Sequence, residues 1–128
     1  MGEIEVDGHL IEITHPEKII WENQGITKLD YIQYLLNVSS HLIQHAKERL
    51  LMIWVYPHGL SGKKIEKRSV PQTAPEWVSH TFYKEKERIL LNDRATLVWA
   101  ANYGAIEFHV PFDRHDKTDY PLEMVFDL

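Results

Sequence analysis

The sequence contains no cysteine, which excludes a disulfide framework and a thiolate metal site and fits a reducing compartment. It also lacks any apolar run near the roughly 18 residues that a membrane span needs, so no transmembrane helix is expected. Its first ten residues, MGEIEVDGHL, carry acids and no apolar stretch, and so do not read as a secretory leader. A surplus of positive charge is missing as well: the net charge is −5, which argues against a general nucleic-acid coat. There is no GxSxG elbow, no glycine-rich phosphate loop and no HExxH pair, and chemistry that depends on those motifs has no support. Internal repeats and low-complexity tracts are absent. What is there is an ordinary globular composition, 44% hydrophobic and 26% charged over 128 residues. That is the size of one domain, 1–128, with one core.

The residues at 9–13, HLIEI, alternate as a short strand does, and Pro16 forbids its simple continuation into a helix. Asn23, Gln24 and Gly25 form a turn. Thr27 followed by Asp30 reads as a capping box, and from Thr27 to about Glu48 apolar residues recur at three- and four-residue steps, which predicts a long helix with one buried face. Residues 50–56, LLMIWVY, are apolar throughout and predict a central strand buried on both sides. An irregular connection anchored by Trp77 follows a basic loop, and a hairpin is expected over 79–92 across the charged KEKE segment. Asn92 or Asp93 caps a short, deeply packed helix at 94–102, ended by Gly104. A strand is expected at 105–112, a polar loop at 113–120 and a final strand through LEMVFDL. The fold class is therefore α+β, a mixed sheet flanked by one long and one short helix.

Two groups of cations stand out. Lys18 and Lys28 lie on either side of the turn that leads into the long helix. Lys28 falls in the first helical turn, where the dipole disfavours a cation and welcomes an anion, so an anion bound there would offset the repulsion. The alternative is a pair of solvated surface lysines. The second group, Lys63, Lys64, Lys67 and Arg68 against the single acid Glu66, is the clearest basic patch. Among the eight histidines, His109 and His115 lie near Asp113, Asp116 and Asp127 without a strict metal-ligand spacing, so polar strand ends and loop surface are the favoured explanation. Asp127 follows MVF at a strand end, a place where a metal-binding carboxylate is often exposed, but one carboxylate does not hold a catalytic metal pair.

Taken together, HPEKIIW, GITKLDYIQYL, YPHG, EKRSVPQTAPEWV, NDRATLVWAANYGAIEFHVPF and VFDL resemble the polymerase/primase domain of bacterial ligase D, of the archaeo-eukaryotic primase superfamily. The resemblance runs in unbroken order from about Leu10 to Leu128 and covers the front part, somewhat under half, of such a domain. It implies that Lys18 and Lys28 grip the 5′-phosphate of a recessed or gapped DNA end. Asp127 matches the first metal aspartate, and His109 the active-site histidine near the phosphates of an incoming nucleotide. Glu66 and Lys67 match a pair on a DNA-facing loop, which makes Lys63, Lys64, Lys67 and Arg68 candidate backbone contacts. The family pattern continues past VFDL with a second catalytic aspartate, so this chain alone is expected to lack the complete set of metal carboxylates and to be inactive. Manganese or magnesium is expected only where that metal site is completed.

The resemblance further implies DNA ends with a 5′-phosphate as the ligand, Ku and a ligase domain as partners in bacterial non-homologous end joining, and a cytoplasmic, nucleoid-associated setting without a membrane. Two other readings stay open: a metal-dependent nucleotidyltransferase completed by a further segment, and a degenerate relative that associates with itself through its terminal strand. Three positions depart from the family pattern. Lys64 and Ile65 stand where two stacking aromatics are usual, His15 stands where asparagine is frequent, and Trp54 and Val55 occupy a strand that usually carries a basic residue. Loss of stacking with gain of charge would shift DNA contact from bases to backbone.

Overall fold

A computed structural model describes residues 2–56, 63–111, 113–114 and 117–121. The first two strands, β1 (Gly2–Val6) and β2 (His9–Ile13), pair antiparallel. Asp7 and Gly8 join them with φ of 50° and 85°, the positive pair that an Asp-Gly two-residue turn supplies. β1 was not expected from the sequence, although Asp-Gly between alternating segments is a hairpin signal.

The turn before the long helix is more ordered than its composition suggests, because β3 (Ile19–Trp21) and β4 (Ile26–Thr27) pair across it. Helix α1 (Lys28–Ala46) begins as read. The Thr27 hydroxyl accepts from the Asp30 amide at 3.1 Å, and the Asp30 carboxylate accepts from the Thr27 amide at 3.0 Å. This closes the capping box and satisfies two donors at the helix start. Its inward side chains Tyr31, Ile32, Leu35, Leu42 and Ala46 belong to one continuous core.

Strand β5 (Met52–Val55) is central in a three-stranded sheet, between β6 (Ile65–Lys67) and β9 (Ala105–His109). It is not buried on both sides. Ile53 and Val55 are buried while Met52 and Trp54 are half-buried, because the second face of the sheet carries polar groups. A hairpin of β7 (His80–Tyr83) and β8 (Lys86–Ile89) turns at Lys84 and Glu85, as the charged segment predicts. The connection before it is anchored by Trp77, whose ring stacks on His9 at 4.6 Å.

Helix α2 (Arg94–Tyr103) is capped by Asp93, which accepts from the Thr96 amide at 2.7 Å. Ala95 through Ala101 are all buried, which is the deep packing expected, and α2 lies against α1. Gly104 ends the helix at φ 119°, where an added Cβ would meet Val55 Cγ1 at 2.9 Å. Both the backbone conformation and the space require glycine there.

The expected polar loop at 113–120 is instead a backbone pairing of β10 (Asp113–Arg114) with β11 (Lys117–Pro121). A hairpin ladder is made by main-chain groups, so polar composition alone does not exclude one. The class is α+β, with two helices among the described residues. Where one mixed sheet was expected, the described residues form five small sheets with antiparallel pairing throughout. Four of these are two-stranded hairpins, in which short connections force antiparallel neighbours. The expected terminal strand through residues 122–128 lies outside the described residues.

Candidate functional site

The turn between β2 and β3 is where sequence and packing meet. His15 adopts φ 51°, a left-handed conformation that asparagine and histidine tolerate better than most side chains. It folds the segment 15–18 back over the start of α1. The Lys28 amide donates to the Lys18 carbonyl at 2.8 Å and the Leu29 amide to the Pro16 carbonyl at 3.0 Å. With the Asp30 amide held by Thr27, these first-turn donors are already satisfied. The anion expected at the helix dipole is therefore not received by these amides, and any anion here must be held by side chains.

Those side chains are present. Lys28 is only 7% exposed, so it is not a solvated surface lysine. Its ammonium donates to the Thr14 carbonyl at 2.6 Å and to the Thr14 hydroxyl at 3.0 Å. Thr14 is in turn held by Asn102 near the end of α2: the Asn102 Oδ1 accepts from the Thr14 amide at 3.0 Å, and its Nδ2 donates to the Glu12 carbonyl at 2.9 Å. Burial, and secondarily the neighbouring Lys18, pushes the Lys28 ammonium down to about 8 from its ordinary 10.5. Lys18 and Lys28 line one cavity of about 260 Å³ with Thr14, His15, Tyr56 and Asn102. No aspartate or glutamate is among its lining residues. Lys18 is exposed and Lys28 buried, so one desolvated ammonium has a solvent-facing cation as its neighbour and no carboxylate in the cavity lining, an arrangement that an anion would stabilise.

The polar face of the three-stranded sheet adjoins it through Tyr56. Cross-strand register places Trp54 opposite both Glu66 and Glu107, and alternation puts His109 and Lys64 on that same face. The Lys64 ammonium lies 3.5 Å from the centre of the Trp54 ring, and the Trp54 and His109 rings are 5.0 Å apart. The Tyr56 hydroxyl donates to one Glu107 oxygen, while the other contacts His109 Nε2 at 3.3 Å. The hydrogen bond from Tyr56 lowers the Glu107 carboxyl from its ordinary range, and the same bond raises the Tyr56 phenol. Neither Tyr56 nor Glu107 was singled out from the sequence. The alternation in IEFHV, which sets Glu107 beside His109, is the signal that could have found the second.

The basic patch does not stay together. Lys67 pairs in register with buried Ile53, so it projects from the face opposite Lys64. Arg68 bonds Glu66 at 2.6 Å, and Lys63 is exposed. Asp93 is a helix cap and Arg94 pairs with Asp7 at 3.1 Å, both structural roles. Among the described residues no group of three histidine or carboxylate side chains is placed to hold a metal ion. Asp127, His115 and Asp116 lie outside the described residues. Among the described residues no helix is long and apolar enough to cross a membrane.

Comparisons with known proteins point to one family. The family described as LigD, primase-polymerase domain, matches residues 27–128. The chain is 37% identical over 118 residues to a bifunctional non-homologous end joining protein LigD of Bacillus subtilis, covering 92% of this chain and 19% of that protein. It is 25% identical to a multifunctional LigD of Mycolicibacterium smegmatis, covering 92% of this chain and 16% of that one. Among solved structures it is similar to the polymerase domain from Mycobacterium tuberculosis ligase D in complex with DNA, with a TM-score of 0.74 and 23% identity over 81% of this chain and 38% of that one. The chain thus spans less than a fifth of the length of these two curated relatives.

Proposed function

The chain belongs to the LigD primase-polymerase family, and from that premise we propose that it binds DNA ends by holding a 5′-phosphate between Lys18 and Lys28, as part of a ligase D-type polymerase in bacterial non-homologous end joining. The observation that carries this reading is the cavity they share, with one lysine buried and no acid in its lining. A terminal phosphate monoester carries up to two negative charges and three acceptor oxygens. It would neutralise both ammonium groups and accept their remaining hydrogen bonds. Lys63, Lys64 and Arg68 would add contacts to the duplex backbone, which carry affinity without base preference. That the similar solved polymerase domain is in complex with DNA supports DNA as the ligand class.

The test is anisotropy titration of a recessed duplex carrying either a 5′-phosphate or a 5′-hydroxyl. The phosphorylated end should bind more tightly, and the preference should vanish in the double variant Lys18→Ala, Lys28→Ala. Equal affinity for both ends, or an unchanged preference in the double variant, sinks the proposal.

A second reading, a metal-dependent nucleotidyltransferase, is favoured by His109 and Glu107 on the open sheet face next to the cavity. In that reading Asp127 supplies the first ligand of a manganese or magnesium site whose other carboxylates come from a further segment, and Ku and a ligase domain are the partners. Incubated with manganese, ribonucleotides and a gapped duplex, this chain alone should add nothing. Incorporation that Asp127→Ala abolishes would reverse that expectation.

A further inference from the structure

We propose that Thr14 and Asn102 form a seat that fixes the Lys28 ammonium in the cavity, making Asn102 a positioning residue for anion recognition. The proposal rests on the 5′-phosphate reading above and adds to it residues that the family resemblance did not single out. A lysine ammonium is a compact charge on a flexible four-carbon stem with three donors. Left to itself it would turn toward water rather than remain 7% exposed beside a second cation. Here two of its donors are committed to one residue, the Thr14 carbonyl at 2.6 Å and hydroxyl at 3.0 Å. Both acceptors belong to the same residue, one on its backbone and one on its short side chain, so the third donor has a set direction and the cavity is where an acceptor can meet it.

Thr14 is fixed by a residue 88 positions away in sequence. Asn102 accepts from the Thr14 amide at 3.0 Å and lies 3.4 Å from the Thr14 hydroxyl. Its amide orientation follows from the partners: the Thr14 N–H needs an acceptor, and the Glu12 carbonyl, 2.9 Å from Nδ2, needs a donor. With its proton directed at Asn102, the Thr14 hydroxyl turns lone pairs toward Lys28. The chain Glu12, Asn102, Thr14, Lys28 therefore links β2, the C-terminal turn of α2 and the first turn of α1. Gly104, two residues after Asn102, closes the helix end that holds this side chain in place. Asn102→Leu would keep much of the bulk and remove all three hydrogen bonds, and Thr14→Val would remove only the hydroxyl.

The experiment compares the full chain with Asn102→Leu, Thr14→Val and Thr14→Ser, by two measurements. The first is the ratio of affinities for 5′-phosphate and 5′-hydroxyl duplex ends. It should fall by about tenfold in Asn102→Leu and Thr14→Val, the scale of one charge-assisted hydrogen bond losing its direction, and recover in Thr14→Ser. A change that only loosened the fold would weaken both ends alike and leave the ratio standing. The second is the ammonium proton–nitrogen signal of Lys28 by nuclear magnetic resonance without DNA, which should be seen in the parent chain and lost in both disrupting variants. An intact ratio or an unmoved Lys28 signal in folded Asn102→Leu or Thr14→Val overturns the seat. A parent chain with no preference for the phosphate overturns the reading on which the seat's function rests, while the ammonium signal still decides whether the seat exists.

Discussion

The two groups of cations in this chain differ in a way that their sequence neighbourhoods reverse. Lys63, Lys64, Lys67 and Arg68 form the denser cluster, yet the structure disperses them: one lies over an indole, one bonds Glu66, one faces the other side of the sheet, and one is exposed. Lys18 and Lys28 are ten positions apart and separated by a turn, yet they share a cavity without a carboxylate. Local density of charge predicts a field, whereas a discrete site needs charges that burial and geometry hold together. On the proposed reading the difference is between general attraction to a polyanion and recognition of one terminal group.

Removing one charge from each group should give the largest effect. Lys28→Met keeps the stem and deletes the ammonium. The preference for a 5′-phosphate end should fall by roughly 10- to 100-fold, the range for losing a hydrogen bond between charged groups. Lys64→Met should change that preference by less than about threefold, since an exposed cation contributes well under 1 kcal/mol to any one contact. Equal losses in the two variants would mean that the groups act as one surface.

A smaller effect is expected from pH. In the folded chain Lys28 titrates at about 8, against 10.5 for the ordinary group. Between those values the unfolded chain binds the extra proton and the folded chain does not, so folding stability should rise with pH through that window. Phosphate binding should do the opposite, because the free cavity loses its ammonium as pH passes 8. At most tenfold per pH unit is expected for one proton. Urea melts and anisotropy titrations at matched pH values check both slopes, and Lys28→Met should flatten each. Slopes of the same sign in the parent chain would contradict the assignment to Lys28.

How far the sequence carried this result depends on whether a feature is local. The limits of α1 and α2 were readable because Thr27, Asp30, Asp93 and Gly104 cap within a turn of where they stand. β3 and β4 were missed because their pairing lies inside a segment read as a turn, and the pairing of β10 with β11 because main-chain groups make it. Lys18 and Lys28 were visible as positions. Their environment was not, since Lys28 owes its burial to Thr14 and Thr14 its place to Asn102 across 88 residues. That the first-turn amides are not donors for an anion was hidden for a related reason: carbonyls of the folded-back turn reach them first.

A third prediction concerns the helix start that both lysines flank. Thr27→Ala removes the hydroxyl that accepts from Asp30 and should cost about 1 kcal/mol of stability, read as a shift in the urea midpoint. Because Lys28 is held by Thr14 rather than by the cap, the ratio of phosphate to hydroxyl affinity should remain within about twofold, a difference of under 0.5 kcal/mol. A large loss of the ratio would place the cap inside the recognition unit.

The smallest expected effects separate members of the basic group from one another. Lys63 is exposed, Lys64 lies on the polar face above Trp54, and Lys67 projects from the opposite face of the same sheet. If the duplex runs across the polar face, Lys63→Ala and Lys64→Ala should each reduce the salt slope of binding by at most about 0.7 to 0.9, the change for one phosphate contact. They should do so equally for phosphorylated and hydroxyl ends, because neither touches the terminal group. Lys67→Ala should leave the slope unchanged, since a side chain on the far face cannot reach the same backbone. Stability should move by less than about 0.5 kcal/mol in all three, as is usual for surface substitutions. A slope that fell only in Lys67→Ala would put the duplex along the β6 edge of the sheet rather than on its polar face, away from His109 and the lysine cavity, and would separate the polyanion surface from the end-recognition site altogether.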